Sequence, residues 1–203
     1  MNHMNDAQQK NSQLQLEISH DLSQAQKTAI GGLFLALALA LPLVFHLFAA
    51  GSVMLPMFLP ILTLGFLVDE KTAATVGLIA PPLSAFLTGM PPFMPPIAFM
   101  MMAELALLGA MPAVLYRRFG WNFWPTLIST VLLSRVFSFA LKVLLAEVFH
   151  IPGVLYGLFG LIKSSPGIAL QIIVVPLVIK AIESRFPQMV PSKKASRIDP
   201  FAS

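Results

Sequence analysis

Long apolar runs with few charges constrain this chain more than any single motif does. Of its 203 residues, 57% are hydrophobic and 11% are charged, and the mean hydropathy is +0.80. A soluble domain of this length has too little interior to bury so much apolar surface. The apolar runs therefore predict an all-α integral membrane protein with six transmembrane helices.

Prolines, charged turns and tryptophans mark the boundaries of the six spans. The predicted spans cover residues 29–48, 53–68, 72–87, 96–116, 122–149 and 166–185, within a membrane domain at 28–186. Ser165 as N-cap and Pro166 at the first helical position are expected to open the last span. The apolar segment before Ser165 is therefore interpreted as too short to cross. Residues 1–27 are predicted to form a polar tail, and residues 187–203 a basic disordered tail.

Lysine and arginine residues gather in the tails and in alternate turns, which gives the expected orientation. Six spans put both termini on one side, and the positive-inside rule places that side in the cytoplasm. The basic residues then assigned to the cytoplasm are Lys10, Lys27, Lys71, Arg117, Arg118, Lys180, Arg185, Lys193, Lys194 and Arg197. The outer loops receive only Lys163. Topology in a lipid bilayer thus explains the net charge of +4, so we expect a multi-pass membrane protein that binds no nucleic acid.

Several classes of chemistry lack the residues that they need. The chain has no cysteine, which excludes disulfides and thiolate chemistry. Its four histidines show no metal-binding spacing, and the chain has no glycine-rich phosphate loop. Ser134, Ser138 and Thr88 have no histidine at comparable depth, so the sequence does not favour nucleophilic catalysis. We therefore expect no enzyme activity, no cofactor and no metal site.

Two charged residues fall inside the predicted spans. Glu104 is eight residues from the outer start of the fourth span, and Arg135 is thirteen residues from the inner start of the fifth. At 1.5 Å per residue across an apolar core of about 30 Å, both lie roughly 10–12 Å below the outer face. Each such charge costs about 2.5–3.5 kcal/mol inside a membrane, so the two are expected to face each other or a wet cavity.

Further side chains are predicted near the outer face. Ser138 and Lys142 follow Arg135 on one helix face, and Gln171 is five residues into the last predicted span. Methionines adapt to irregular apolar ligands. The predicted substrate-binding residues are Glu104, Arg135, Ser138, Lys142, Gln171, Met90, Met101 and Lys163. The alternative is that Glu104 and Arg135 form a structural pair that only locks two spans together.

Small residues recur every four positions in the first span, at Gly32, Ala36 and Ala40. Such a row lets a second helix approach closely. It can serve packing inside this protein, or it can dock a partner membrane protein, and the sequence leaves both interpretations open.

Six short motifs follow one another along the predicted membrane domain. They are Gly32-x-x-x-Ala36, LGF at 64–66, GLIAPPLSAFLTGMPP at 77–92, Glu104-Leu105-Ala106-x-x-Gly109, Ser134-Arg135 and SPGIALQIIVVPLV at 165–178. In their order and spacing they resemble the motifs of the S components, the membrane substrate-binding subunits of energy-coupling-factor (ECF) vitamin transporters, and the resemblance covers roughly residues 27–186. The resemblance implies a six-helix fold in a prokaryotic cytoplasmic membrane that holds a small vitamin-like metabolite in the outer half of the membrane.

The resemblance also implies partners. The small-residue row of the first span would meet a transmembrane coupling subunit, and two cytoplasmic ATPase subunits would provide the energy for uptake. This chain would bind substrate and hydrolyse nothing. The alternative function is a small membrane scaffold or assembly protein with a structural buried ion pair.

Overall fold

The computed structural model describes residues 22–47, 56–92, 97–148, 153–186 and 189. These residues form six α-helices, which are α1 (Gln24–Leu47), α2 (Phe58–Leu67), α3 (Glu70–Thr88), α4 (Ile97–Pro112), α5 (Phe123–Val148) and α6 (Gly153–Arg185). A π-helical segment, Ala113–Arg118, continues α4. The predicted all-α class is confirmed for this part of the chain, and the two predicted tails lie largely outside it.

Four of the helices contain a segment that is long and apolar enough to cross a membrane. These segments are Gln24–Phe45, Ile97–Arg118, Phe123–Leu145 and Ser164–Arg185. On α5, Leu132 and Val136 are exposed, whereas Thr130, Ser134 and Ser138 are buried. A water-soluble bundle has the opposite arrangement, so an apolar outside and a polar inside indicate that α5 faces lipid.

Helix α2 lies at the centre of the bundle. All ten of its residues are buried, and it contacts α1, α3, α4 and α6. A helix that is apolar all round is stable where other elements cover every side. Its length of about 15 Å is half the thickness of a membrane core, so the described helix covers only part of the second span predicted at 53–68.

Glycines bring the backbones of α3 and α4 into direct contact. A Cβ atom on Gly77 of α3 would overlap the backbone of Leu105 and would lie 2.8 Å from the amide nitrogen of Ala106. A Cβ atom on Gly109 of α4 would lie 2.7 Å from the carbonyl oxygen of Ala73. Only residues without a side chain permit this approach, which resembles small-residue packing between membrane helices.

Both ends of α3 are capped. The Asp69 carboxylate accepts a hydrogen bond from the Thr72 backbone N–H at 3.1 Å, and Nζ of Lys27 lies 3.7 Å from the same carboxylate. Burial raises the pKa of Asp69, but the hydrogen bonds from Thr72 and the charge of Lys27 outweigh burial and hold that pKa below its usual value. At the other end, Gly89 has φ of 73°, a left-handed conformation that glycine adopts readily and that ends the helix.

The structure contradicts the predicted start of the last helix. Helix α6 is one helix of 33 residues with Pro166 inside it. The Ser165 hydroxyl donates a hydrogen bond to the Ile162 carbonyl oxygen at 2.8 Å and does not cap a helix N-terminus. Proline is tolerated inside membrane helices because neighbouring helices and hydroxyl groups satisfy the freed backbone. The apolar segment before Ser165 therefore continues the helix.

Replacing Gly77 with alanine is expected to destabilise the bundle by about 1–3 kcal/mol, because the added methyl group overpacks a backbone contact. Gly32→Ala is the matched control, since a Cβ atom there meets no atom within 4 Å. The better helix propensity of alanine should leave that control at least as stable as the parent. Thermal unfolding of the purified proteins in detergent measures both effects. Equal melting temperatures for the two variants would contradict the close approach of α3 and α4.

Candidate functional site

The two charged residues predicted inside the membrane meet in the structure. Nη2 of Arg135 on α5 lies 2.6 Å from Oε1 of Glu104 on α4, and both side chains are more than nine-tenths buried. We expected these charges to face each other or a wet cavity, and the structure shows that they face each other. The ion pair joins two helices. Among their described side chains, Lys142 of α5 is the one further charge.

Two further side chains hold the ion pair. The ring of Phe58 on α2 lies against the guanidinium group, with Cζ of Arg135 4.9 Å from the ring centroid. The cation therefore meets the negative face of an aromatic ring. Ser138, one turn after Arg135, offers its hydroxyl to the Glu104 carboxylate. These contacts connect α2, α4 and α5 in the interior of the bundle.

Lys142 adds a second cation to the same site. It lies seven residues after Arg135 on the same face of α5, and it is half-buried. The charge of Glu104 attracts Lys142 and the charge of Arg135 repels it, so the three side chains share one electrostatic environment. We call Glu104, Arg135, Ser138 and Lys142 the charged cluster. It contains one acid and two bases.

Several buried polar atoms lack a hydrogen-bond partner among the described residues. They are Glu104 Oε1, Arg135 Nε, Arg135 Nη2, Thr130 Oγ1, Gln171 Nε2 and Gln171 Oε1. The contact between Arg135 and Glu104 is thus ionic, without the alignment of a hydrogen bond. Each unpartnered buried group costs about 1–3 kcal/mol. Several of them in one apolar bundle indicate a place where water or a polar molecule provides the missing bonds.

The length of α6 changes the expected depth of Gln171. Helices α5 and α6 pack together and are joined by a connection of four residues, so they run in opposite directions. Depth can be counted from the ends that this connection joins, Val148 of α5 and Gly153 of α6. Gln171 is eighteen residues from Gly153. Thr130 is eighteen residues from Val148, and Arg135 is thirteen residues from it. At 1.5 Å per residue, Gln171 lies level with Thr130 and about 7 Å deeper than Arg135. Gln171 therefore belongs to a second polar level below the charged cluster.

The remaining predicted site residues have different surroundings. Met101 is partly buried and packs against the apolar core. Met90 is 54% exposed, and its backbone carbonyl accepts a hydrogen bond from the Ser84 hydroxyl at 2.8 Å. The side chain of Lys163 lies outside the described residues. The structure thus brings together Glu104, Arg135, Ser138 and Lys142, and it leaves Met90 at the surface.

Sequence reasoning missed Phe58 and Thr130. A signal for Thr130 exists, because Thr126, Thr130, Ser134 and Ser138 recur every four residues and all four are buried on one face of α5. No comparable signal exists for Phe58, because its cationic partner lies on a helix far along the chain. An apolar run does not specify which neighbour each of its rings will contact.

The row of small residues on α1 faces away from the other described helices. Gly32, Ala36 and Ala40 are exposed, whereas the buried side of α1 carries Phe34 and Ala38. Packing inside the described part of this protein does not use the row. Its role in docking a partner stays a prediction.

No protein-family model, curated protein or solved structure matches this chain. A function must therefore explain two observations of the molecule itself. The first is the charged cluster, with two bases and one acid, in a bundle where several buried polar atoms have no hydrogen-bond partner among the described residues. The second is the row of small residues on α1, which the other described helices leave exposed.

Arg135→Met is expected to destabilise the protein by about 3–5 kcal/mol, because it leaves the Glu104 carboxylate buried without its partner. Adding Glu104→Gln to that variant should restore most of the lost stability. Arg185→Met, which removes an exposed arginine, is the control and should change stability little. Thermal unfolding in detergent measures all four proteins. A double variant no more stable than Arg135→Met alone would show that the ion pair does not connect α4 and α5 energetically.

Proposed function

We propose that this chain is a six-span membrane protein that binds a small vitamin-like solute and acts as the substrate-binding subunit of an ATP-driven ECF-type importer. The single observation that supports it most is the charged cluster, in which buried polar atoms have no hydrogen-bond partner in the described part of an apolar bundle. Charged groups inside membrane helices most often mark a substrate or ion site. The motif resemblance to ECF S components supports the same function.

Both termini lie in the cytoplasm in this proposal. Two contacts place the basic turns at one end of the bundle. Nζ of Lys27 lies 3.7 Å from the Asp69 carboxylate, and Nη1 of Arg117 donates a hydrogen bond to the Leu67 carbonyl oxygen at 3.4 Å. The positive-inside rule makes that end cytoplasmic. Glu104 lies fourteen residues from the end of the Ile97–Arg118 segment, about 21 Å away. The charged cluster is therefore in the outer half of the membrane.

The partners in this proposal are a transmembrane coupling subunit and two cytoplasmic ATPase subunits. The uncovered row at Gly32, Ala36 and Ala40 on α1 is the docking surface, because small residues allow the close helix contact that lipid does not otherwise drive. The chain has no nucleotide-binding motif, so it contributes binding and no catalysis. Its location is the prokaryotic cytoplasmic membrane.

One observation favours the alternative of a membrane scaffold. Glu104 and Arg135 are close enough to neutralise each other, and such a pair can lock two helices without any ligand. A structural pair, however, leaves Lys142 as an additional half-buried cation and leaves the Gln171 amide without a hydrogen-bond partner among the described residues. Solute binding accounts for these groups as well.

Recovery of bound solute tests the proposed function. The protein is purified from a prokaryotic host in mild detergent and denatured, and the released small molecules are identified by mass spectrometry. We expect one metabolite in stoichiometric amount, which should raise the melting temperature when it is added back. Ala36→Trp should retain this solute but abolish uptake into cells, because it blocks helix docking without touching the charged cluster.

Two outcomes contradict the proposal. A folded protein that releases no small molecule indicates the scaffold function. An Ala36→Trp variant that loses the solute as well as uptake indicates that the row serves the fold of this chain and not a partner.

A further inference from the structure

We propose that the bound solute is a monocarboxylate and that its carboxylate lies between Arg135 and Lys142 of the charged cluster. The inference rests on the proposed function, because it names the chemical class of the solute bound there. Beyond the proposed function, the inference states that the solute carries one negative charge.

The charge of the cluster is unbalanced. Among the described side chains in the core and at the outer end of the bundle, Glu104 is the one acid, against the buried Arg135 and the half-buried Lys142, which leaves a net charge of +1. Glu147 and Lys163, whose side chains lie outside the described residues, carry opposite charges and leave this sum unchanged. A net charge that is only partly exposed to water is costly unless it is paired. One negative charge on the solute removes the excess, whereas a cation adds to it and a dianion overcorrects it.

Arg135 has a donor free for a second carboxylate. Its Nη2 is directed to Glu104, whereas its buried Nε has no hydrogen-bond partner among the described residues. A guanidinium group presents five N–H donors and can serve two acceptors at once. Phe58 covers one face of this group, which leaves the edge that contains Nε for the solute.

Lys142 completes the site from the outer side. It is half-buried and lies about 10 Å nearer the outer face than Arg135 along α5, a separation that a carboxylate between two long side chains can bridge. Glu104 attracts Lys142, but the nearest partner of Glu104 is Arg135. The Ser138 hydroxyl stays with Glu104, so the donors left for a carboxylate are Nε of Arg135 and the ammonium group of Lys142. A carboxylate between the two bases therefore satisfies groups that the protein alone leaves incompletely paired.

Hexanoate and hexanamide are matched probes of this site, because they have the same chain and similar size and differ in charge. Thermal-shift titrations at pH 7 use the purified full-length protein, freed of any retained solute. We expect hexanoate to stabilise the parent protein at concentrations at least tenfold lower than hexanamide does. Lys142→Met should lose this preference, and Lys142→Arg should keep it. Lys180→Met, which removes the charge of an exposed lysine, is the matched control and should behave as the parent.

Equal responses to the two probes, including no response to either, overturn the inference. A Lys142→Met variant that keeps the preference of the parent also overturns it. The proposed function is tested separately by the recovered solute. A recovered solute without a carboxylate rejects the monocarboxylate class and leaves the solute-binding function standing, whereas a protein that releases no solute rejects the function itself.

Discussion

The low dielectric of the bundle interior forces Glu104 and Arg135 together, and the positions of the other helices depend on that pair. Helix α4 carries the acid and also makes direct backbone contacts with α3 at Gly77 and Gly109. The central helix α2 contributes the ring of Phe58 to the cation. A slip of α4 by one turn, about 5.4 Å, would separate the ion pair and break the glycine contacts together. The charge pairing and the close packing therefore fix the same register.

The sequence predicts the level of Glu104 and Arg135 correctly because the rise per residue of a helix is nearly constant. The same count fails for Gln171, because the predicted last span begins at Pro166. Proline after serine often marks a helix start, but proline can also lie in the interior of a membrane helix. Helix α6 contains Pro166 in its interior. Contacts of α2 could not be predicted at all. The apolar residues around Phe58 in the sequence predict that its ring is buried, but they do not predict that the ring contacts Arg135.

Two polar levels lie inside one apolar bundle, and a purely structural assembly of helices does not require them. The upper level is the charged cluster, and the lower level contains Gln171 and Thr130, whose side chains have no hydrogen-bond partner among the described residues. A structural ion pair explains Glu104 and Arg135. It explains neither the additional cation at Lys142 nor the lower level. Binding of a small polar solute with an anionic group accounts for both levels through one event.

The measurement that tests this account most directly is the affinity of the Arg135→Met, Glu104→Gln double variant for the solute that copurifies with the parent protein. The double variant leaves no buried charge of the pair without its partner, so it separates binding from folding. Isothermal titration of the folded variant should show affinity about 30-fold weaker than that of the parent, since losing a desolvated charged contact costs 2 kcal/mol or more. A double variant that binds the solute as tightly as the parent would contradict the account, because the ion pair would then be structural and the binding site would lie elsewhere.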